Sequence, residues 1–294
     1  MRSFLIAITL MALSCASSSQ NKTLESNPTT KEFNSYWFSG EAEINRYELN
    51  QSRYGEVRQG EAVMVFVSED FLQDKQLKYE YGSRAEVVPV LKLNLTRKFY
   101  TGLYPYSIMN SVFSPIEAKP AIKASSSIQE WCGHTYSQLN YDNKHYRFTG
   151  HSYFQNEGDE VYKIDYALLE DEVWNLIRLN PSELPQGNIS IIPSLLASRL
   201  KHYPIKRMSA IASLKNETNG QSIYSINYDK SNKASEIIFE TAFPHKILSW
   251  SETDKSGAIT SATLQHTIKT DYWSKNSNGD SYMRDSLGLK TRYR

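Results

Sequence analysis

Cysteine is scarce in this chain: its 294 residues include two, Cys15 and Cys132. Structural zinc sites are typically built from closely spaced cysteine pairs, and the sequence contains no such pair. It also lacks a glycine-rich phosphate loop, a Gly-x-Ser-x-Gly nucleophile turn and a His-Glu-x-x-His motif. These absences remove the usual signatures of zinc fingers, nucleotide binding, serine hydrolases and zinc peptidases, and we expect no cofactor.

Excess charge and long apolar runs are missing as well. The formal net charge is +1, so no electrostatic field recruits nucleic acid, and we expect no nucleic-acid partner. Beyond the first residues, no apolar stretch is long enough to span a membrane. The chain is nevertheless long enough to bury a full core, in one large domain or two small ones.

The N-terminus reads MRSFLIAITLMALSCASSSQNK and is typical of a secretory signal peptide. Arg2 supplies the positive charge, and residues 4–13 form an apolar run too short to cross a bilayer. The segment ALSC resembles the lipobox of bacterial lipoproteins, except that Ala12 stands where leucine is preferred. This resemblance implies cleavage after residue 14 and lipidation of Cys15; the alternative is an ordinary signal peptide cleaved near the same place.

The predicted location follows from the residues after Cys15. Ala16 replaces the aspartate that tends to retain such lipoproteins in the inner membrane, so the resemblance implies a protein anchored to the outer membrane and facing the periplasm. Residues 15–34 are polar and predict a tether. A lipid anchor would make the membrane a partner, and a lipid or an envelope protein is a further candidate. With Cys15 lipidated, Cys132 has no disulfide partner within the chain.

The body predicted at 35–275 is mainly β, because tyrosine and β-branched residues are abundant and turn signals recur every eight to twelve residues. The segment VLKLNLT, residues 90–96, alternates apolar and polar side chains with the period of a half-buried strand. We expect antiparallel curved sheets, as a sandwich or a half-barrel, forming either one body or two sub-sheets at about 35–165 and 185–275. Residues 276–294 are polar and predict a loose C-terminal tail.

Two segments switch to the spacing of amphipathic helices. Leu169, Val173 and Leu176 recur at three and four residues, and a second apolar face runs through 192–203. Each predicts a short helix covering an open end of the sheet. Between sheet and helices there is room for a groove that holds an acyl chain or another apolar ligand.

The stretch SSIQEWCGHTYSQLN, residues 126–140, contains the candidate site. If 128–139 were one strand, Glu130, Cys132 and His134 would share a face. A hairpin turn at 142–143 would then place His134 opposite His151. These four residues could form a metal site or a cysteine–histidine nucleophilic pair; the alternative is a packed cysteine with polar neighbours.

Five segments carry a wider resemblance: YWFSGEAEINRYEL, RYGEVRQGEAVMVFVSEDF, TGLYPYSIMNSVFSPI, SIQEWCGHTYSQLN and SYFQNEGDEVY. Together they resemble a family of flavobacterial-type outer-membrane lipoproteins, whose members commonly carry the label "septum formation inhibitor Maf". True Maf proteins are cytosolic nucleotide pyrophosphatases with an N-terminal Ser-x-Ser-Pro-Arg-Arg loop. The nearest stretch here, residues 113–120, has no arginine pair, so no Maf catalytic residue is carried over.

Two functions therefore remain open. The first is a lipid-anchored, non-enzymatic envelope protein that binds an apolar ligand or a partner. The second is a metal-dependent or thiol-dependent periplasmic enzyme centred on Cys132, His134 and His151. The second requires these side chains to converge in an open cleft.

Overall fold

A computed structural model describes residues 30–117 and 120–289. Cys15 and the predicted signal peptide lie outside the described residues. The strands are β1 Ala42–Arg53, β2 Glu56–Leu72, β3 Leu77–Lys78, β4 Val87–Thr101, β5 Tyr104–Pro115, β6 Lys123–Glu130, β7 Gly133–Tyr141, β8 His145–Ser152, β9 Glu160–Asp165, β10 Leu168–Leu169, β11 Gly187–Ile192, β12 Met208–Asn216, β13 Gln221–Tyr228, β14 Ala234–Glu240, β15 Ile247–Thr253 and β16 Ile259–Thr270. The helices are α1 Lys31–Trp37, α2 Val173–Leu179, α3 Leu195–Lys201 and α4 Tyr282–Ser286.

The strands form one curved, unclosed sheet, which confirms the predicted mainly β fold class. Its order is β10-β11-β12-β13-β14-β15-β16-β1-β2-β4-β5-β6-β7-β8-β9, with β3 paired to β2. All neighbours are antiparallel except β10 and β11. The strands before and after the helices do not separate into two sub-sheets, because β1 pairs with β16 on one side and with β2 on the other.

Alternating side chains divide the sheet into an inner and an outer face. In β4, Leu91, Leu93 and Leu95 are buried, whereas Lys92 and Asn94 between them are partly exposed. This is the alternation predicted for residues 90–96. The inner face contributes most of the largest apolar cluster, which continues through α2 and α3.

Helix α2 lies inside the curved sheet. All seven of its residues are buried, including Asn175 and Arg178, which are 0% exposed. The helix was predicted as a cover with one apolar face. It is enclosed instead, because apolar side chains around its circumference all join the main core.

The polar side chains of α2 are paired within the core. Arg178 donates to both carboxylate oxygens of Glu43 at 2.5 and 2.6 Å, and its Nε donates to the Pro244 carbonyl at 2.8 Å. Asn175 donates to the Leu91 carbonyl at 3.0 Å. Burying such groups is costly unless they are hydrogen-bonded, so these bonds fix how the helix sits against the sheet.

Both ends of the described chain are more ordered than the sequence predicts. Helix α1 occupies part of the predicted tether and is capped by Thr30, whose hydroxyl accepts from the Phe33 N–H at 3.1 Å. In the predicted loose tail, α4 forms and is followed by Leu287, which is 6% exposed. Leu287 packs with Ala42, an apolar contact that a polar tail was not expected to make. No helix in the described ranges is long and apolar enough to cross a membrane.

Candidate functional site

Cys132 lies in a tight turn rather than within a strand. Strand β6 ends at Glu130 and β7 begins at Gly133, so Trp131 and Cys132 connect them. The Cys132 N–H donates to the Glu130 carboxylate at 2.6 Å. The prediction of one strand over 128–139 is therefore wrong, and Glu130, Cys132 and His134 do not share a strand face.

The register between β7 and β8 also differs from the predicted one. His151 is opposite Tyr136, whereas the sequence predicted His134 there. The difference comes from the turn, which is centred one residue later than expected, with Asn143 in the left-handed region at φ 71°. Moving a hairpin turn by one residue moves the cross-strand partners by two.

The predicted chemistry at Cys132 is not favoured by its surroundings. The thiol is exposed, and its hydrogen bond and charge interaction with Glu130 raise the pKa of Cys132, which disfavours the nucleophilic thiolate. His151 instead has Asp159 at 3.2 Å. Among residues 30–117 and 120–289, no cluster of three or more His, Cys, Asp or Glu side chains could hold a metal ion. Within these ranges, Cys132, His134 and His151 do not form the convergent cluster that the enzyme hypothesis requires.

A groove of about 600 Å³ lies between β6–β9 and helix α3, and of the predicted site residues its lining includes His151. Five apolar side chains line its walls: Ile128, Phe148, Tyr162, Leu195 and Ile205. This volume lies within the range of small-molecule sites, which are mostly apolar with a few placed polar groups. The groove therefore has the size and lining of a binding site.

Two buried hydroxyls line opposite walls of the groove. Ser126 projects from β6 and is 3% exposed, and Ser198 projects from α3 and is 2% exposed. Neither hydroxyl oxygen has a hydrogen-bond partner among the described residues. A buried polar group without a partner costs free energy, and such groups in native proteins usually have a partner. A ligand atom or an ordered water between these walls would remove that cost.

Charged side chains lie at the margin of the groove rather than at its centre. Glu157 contacts Arg199 at 3.2 Å and also pairs with His202. The Arg199 guanidinium lies over the Phe154 ring, 4.5 Å from its centroid. Arg199 and His202 thus share one carboxylate partner at this margin.

Helix α3 is held in place by acidic side chains that precede α2. Glu170 accepts from the Ser194 N–H at 3.0 Å, and Asp171 accepts from the Leu195 N–H at 2.9 Å. Carboxylates at this position would ordinarily favour the dipole of their own helix. They instead satisfy the free N–H groups at the start of α3 and so position one wall of the groove.

The same two carboxylates titrate differently. Burial alone would raise the pKa of Glu170, but the charge and hydrogen bond of Lys233 outweigh it and lower that pKa to about 2. For Asp171, burial dominates and raises the pKa to about 6 despite the Leu195 N–H. Of the two, only Asp171 changes charge near neutral pH.

The sequence predicted a groove between sheet and helices, but it did not identify the strands or the polar side chains that line it. The helix predicted at 192–203 forms as α3 and lines it. Ser126 and Ser198 were missed, because a serine on an apolar face has no local signal for a missing hydrogen-bond partner. The alternation of Ser126 with Ile128 in a strand was the available indication of its inward direction.

Comparisons with known proteins add a remote structural similarity. No family model and no curated protein matches the chain. Among solved structures, the chain is similar to a beta-barrel-like protein of the domain of unknown function DUF1849 from Brucella abortus, with a TM-score of 0.44 and 8% sequence identity. The match covers 79% of this chain and 98% of that one. The resemblance to flavobacterial lipoproteins stays a prediction.

Proposed function

We propose that this chain is a non-enzymatic binding protein of the bacterial envelope, which holds a small amphipathic molecule such as a fatty acid. The groove between β6–β9 and α3 supports the proposal, because its apolar walls carry two buried hydroxyls without protein partners. The apolar body of the ligand would contact Ile128 and Phe148. Its polar atoms would bond Ser126 and Ser198.

The cellular location belongs to the same proposal and depends on the sequence around Cys15. A lipid on Cys15 would tether the body to the outer membrane on its periplasmic side. Replacing Cys15 with alanine should then move the protein from the membrane fraction to the soluble fraction. Unchanged membrane association in that variant would contradict the anchor without affecting the groove.

A matched pair of substitutions tests the groove. Ser126 faces the groove, whereas Ser127 is the next residue of β6 and faces the opposite side of the sheet. Ser126→Phe should fill the groove, and Ser127→Phe should leave it open while adding the same side chain to the same strand. Both proteins would span residues 16–294, which include every described core residue.

Binding would be measured with cis-parinaric acid, a fluorescent fatty acid, and by native mass spectrometry of protein purified without detergent. We expect the wild type and Ser127→Phe to bind the probe, and Ser126→Phe to bind at least about tenfold more weakly, a loss of about 1.4 kcal/mol. Equal binding by the two variants, or no binding by the wild type, would contradict the proposal. A mass excess of one fatty acid would identify the ligand class directly.

A further inference from the structure

Four turns of the sheet lie at the same end of the molecule. They connect β1 to β2, β4 to β5 and β6 to β7, and the fourth follows β8. Successive strands along this part of the sheet are antiparallel, so every second connection returns to the same end. With neighbouring strands about 4.8 Å apart, the row from β1 to β8 spans roughly 30 Å.

Each of these turns exposes a large apolar or aromatic side chain. The exposed fractions are 60% for Tyr54, 79% for Leu103, 67% for Trp131 and 75% for Tyr153. We call these four residues, three aromatic and one leucine, the aromatic rim. Single exposed apolar residues are ordinary, but a set aligned along one end marks an interaction surface.

Side-chain contacts connect two residues of the rim. The hydroxyl oxygens of Tyr54 and Tyr106 are 3.0 Å apart, and the Tyr106 and Tyr104 ring centroids are 5.9 Å apart. The Tyr104 ring is in turn 6.5 Å from Trp131. The exposed side chains Tyr54 and Trp131 are therefore connected through the buried Tyr106 and through Tyr104.

The rim continues to the margin of the groove. Tyr153 packs on the backbone of Gly133, where an added Cβ would be 2.9 Å from the tyrosine ring. Tyr153 also contacts Phe154 with ring centroids 5.7 Å apart, and the Arg199 guanidinium lies over Phe154. Since Arg199 lines the groove, the rim ends where the groove begins.

Tyr54, at the tip of the turn between β1 and β2, has an unfavourable backbone conformation. Its φ of 55° lies in the left-handed region, which bulky residues rarely adopt. The Arg53 guanidinium lies 4.2 Å from the Tyr54 ring centroid, and its Nη2 donates to the tyrosine hydroxyl at 3.1 Å. The surroundings thus fix this aromatic ring in an exposed position.

Charges near the rim are largely paired. Arg58 contacts Glu56 at 2.6 Å, and Lys201 contacts Asp254 at 2.6 Å. These two cations are therefore compensated and do not favour an acidic partner at the rim. A matching surface would be close to neutral, with an apolar interior beneath a polar layer.

We propose that the aromatic rim docks on the surface of a bilayer made of zwitterionic phospholipid. Tryptophan and tyrosine favour the boundary between headgroups and acyl chains, where the ring is in apolar surroundings and its polar atom stays hydrated. A fluid lipid surface can receive these four exposed side chains without a complementary shape. The proposal goes beyond the groove and does not require the groove to hold a ligand.

The test compares two sets of three serine substitutions in residues 16–294, produced without acylation. The rim variant combines Leu103→Ser, Trp131→Ser and Tyr153→Ser. The control variant combines Tyr81→Ser, Trp273→Ser and Tyr282→Ser, whose side chains are 86%, 50% and 60% exposed at the opposite end of the sheet. All six side chains are largely exposed, so we expect both variants to fold, with circular dichroism as the check.

Binding would be measured by sedimentation with phosphatidylcholine vesicles. We expect the rim variant to bind at least about tenfold more weakly than the wild type, and the control variant to bind within about twofold. Binding should change little as salt is raised, because it does not depend on unpaired charges. The rim variant should still bind cis-parinaric acid like the wild type, because none of its three substituted residues lines the groove, and this separates the test from that of the groove.

Three outcomes would overturn the proposal. The first is no binding of the wild type to phosphatidylcholine, or binding that requires anionic lipid. The second is equal loss in the rim and control variants. The third is a wild-type oligomer that the rim variant converts to a monomer, since a second copy of the chain would then cover the rim.

Discussion

Glu170 and Asp171 are neighbours in sequence and both are buried, yet their partners differ. Glu170 accepts from Lys233 Nζ at 2.6 Å and from the Tyr228 hydroxyl at 2.7 Å, so a cation compensates its charge. Asp171 accepts from the backbone N–H of Leu195 at 2.9 Å, but no cation contributes to its pKa shift. A buried carboxylate without a cation is costly in its charged form.

Asp171→Asn should change the pH dependence of stability. The folded-state pKa of Asp171 is raised from 3.8 to about 6, so its stabilising contribution is present below about pH 4 and lost as pH rises through 6. The full shift corresponds to about 3 kcal/mol. Asparagine keeps an oxygen for the Leu195 N–H but does not titrate. The free energy of unfolding of Asp171→Asn, relative to wild type, should therefore increase from pH 4 to pH 7 in urea titrations.

Glu170→Gln is the matched control for this measurement. The pKa of Glu170 is lowered to about 2, so its contribution is lost only as pH falls from about 4.5 towards 2. Its stability difference from wild type should stay constant from pH 5 to pH 7, even though the variant is less stable. A constant difference for Asp171→Asn over pH 4–7 would show that Asp171 does not titrate in this range.

At the scale of elements, periodicity predicted the interior of strands and helices better than their ends. The alternation in β4 and the apolar spacing of α2 and α3 arise because each element packs apolar side chains against the core. This packing leaves a periodic pattern of apolar residues in the sequence. The turn at Trp131–Cys132 has no proline, asparagine or aspartate, so local signals did not reveal it. Helix α1 was missed because its first residues were predicted as the end of a polar tether over 15–34.

The candidate site depended on those element ends. Misplacing one turn by a single residue was enough to predict His134 opposite His151, where the structure has Tyr136. The groove between sheet and helices was expected, but its two serines could not be predicted, because Ser126 and Ser198 are far apart in sequence and come to line one groove only in the folded sheet. The enclosure of α2 was equally hidden, since Arg178 pairs with Glu43, which lies 135 residues earlier in the chain.

At Gly60, the backbone of β2 lies close to the backbone of β4. An added Cβ would be 2.4 Å from the Lys98 carbonyl oxygen, so the two backbones would have to separate. We expect Gly60→Ala to lower the free energy of unfolding by about 1–3 kcal/mol. Gly279→Ala, where an added Cβ meets nothing within 4 Å, should have little effect in the same urea titration. Equal stability of the two variants would contradict the tight strand contact.

At the scale of the whole molecule, helix α2 contacts both the strands that precede it in the chain and the strands that follow it. Asn175 bonds the Leu91 carbonyl of β4 at 3.0 Å, and Trp174 contacts Trp250 of β15 with ring centroids 5.9 Å apart. The first contact belongs to the strands before α2 and the second to those after it. Neither run of strands can keep its core when the other one opens.

We therefore expect the sheet to unfold as one cooperative unit, although chains of this size often unfold in stages. Hydrogen-exchange mass spectrometry in increasing urea would follow peptides from β4–β8 and from β12–β15 separately. Both sets should lose protection at the same urea concentration. Loss of one set well before the other would show that the sheet has two independent parts.

The pairing of β1 with β16 has a consequence for how this protein is made. The first long strand of the sheet finds one of its two neighbours almost at the other end of the chain. Until residues 259–270 have been synthesised and have arrived in the same compartment, β1 presents an open row of N–H and C=O groups, which other chains could pair with. We therefore expect a protein with this connectivity to need a chaperone during biosynthesis. A premature stop before β16 would yield an aggregating fragment rather than a smaller working domain.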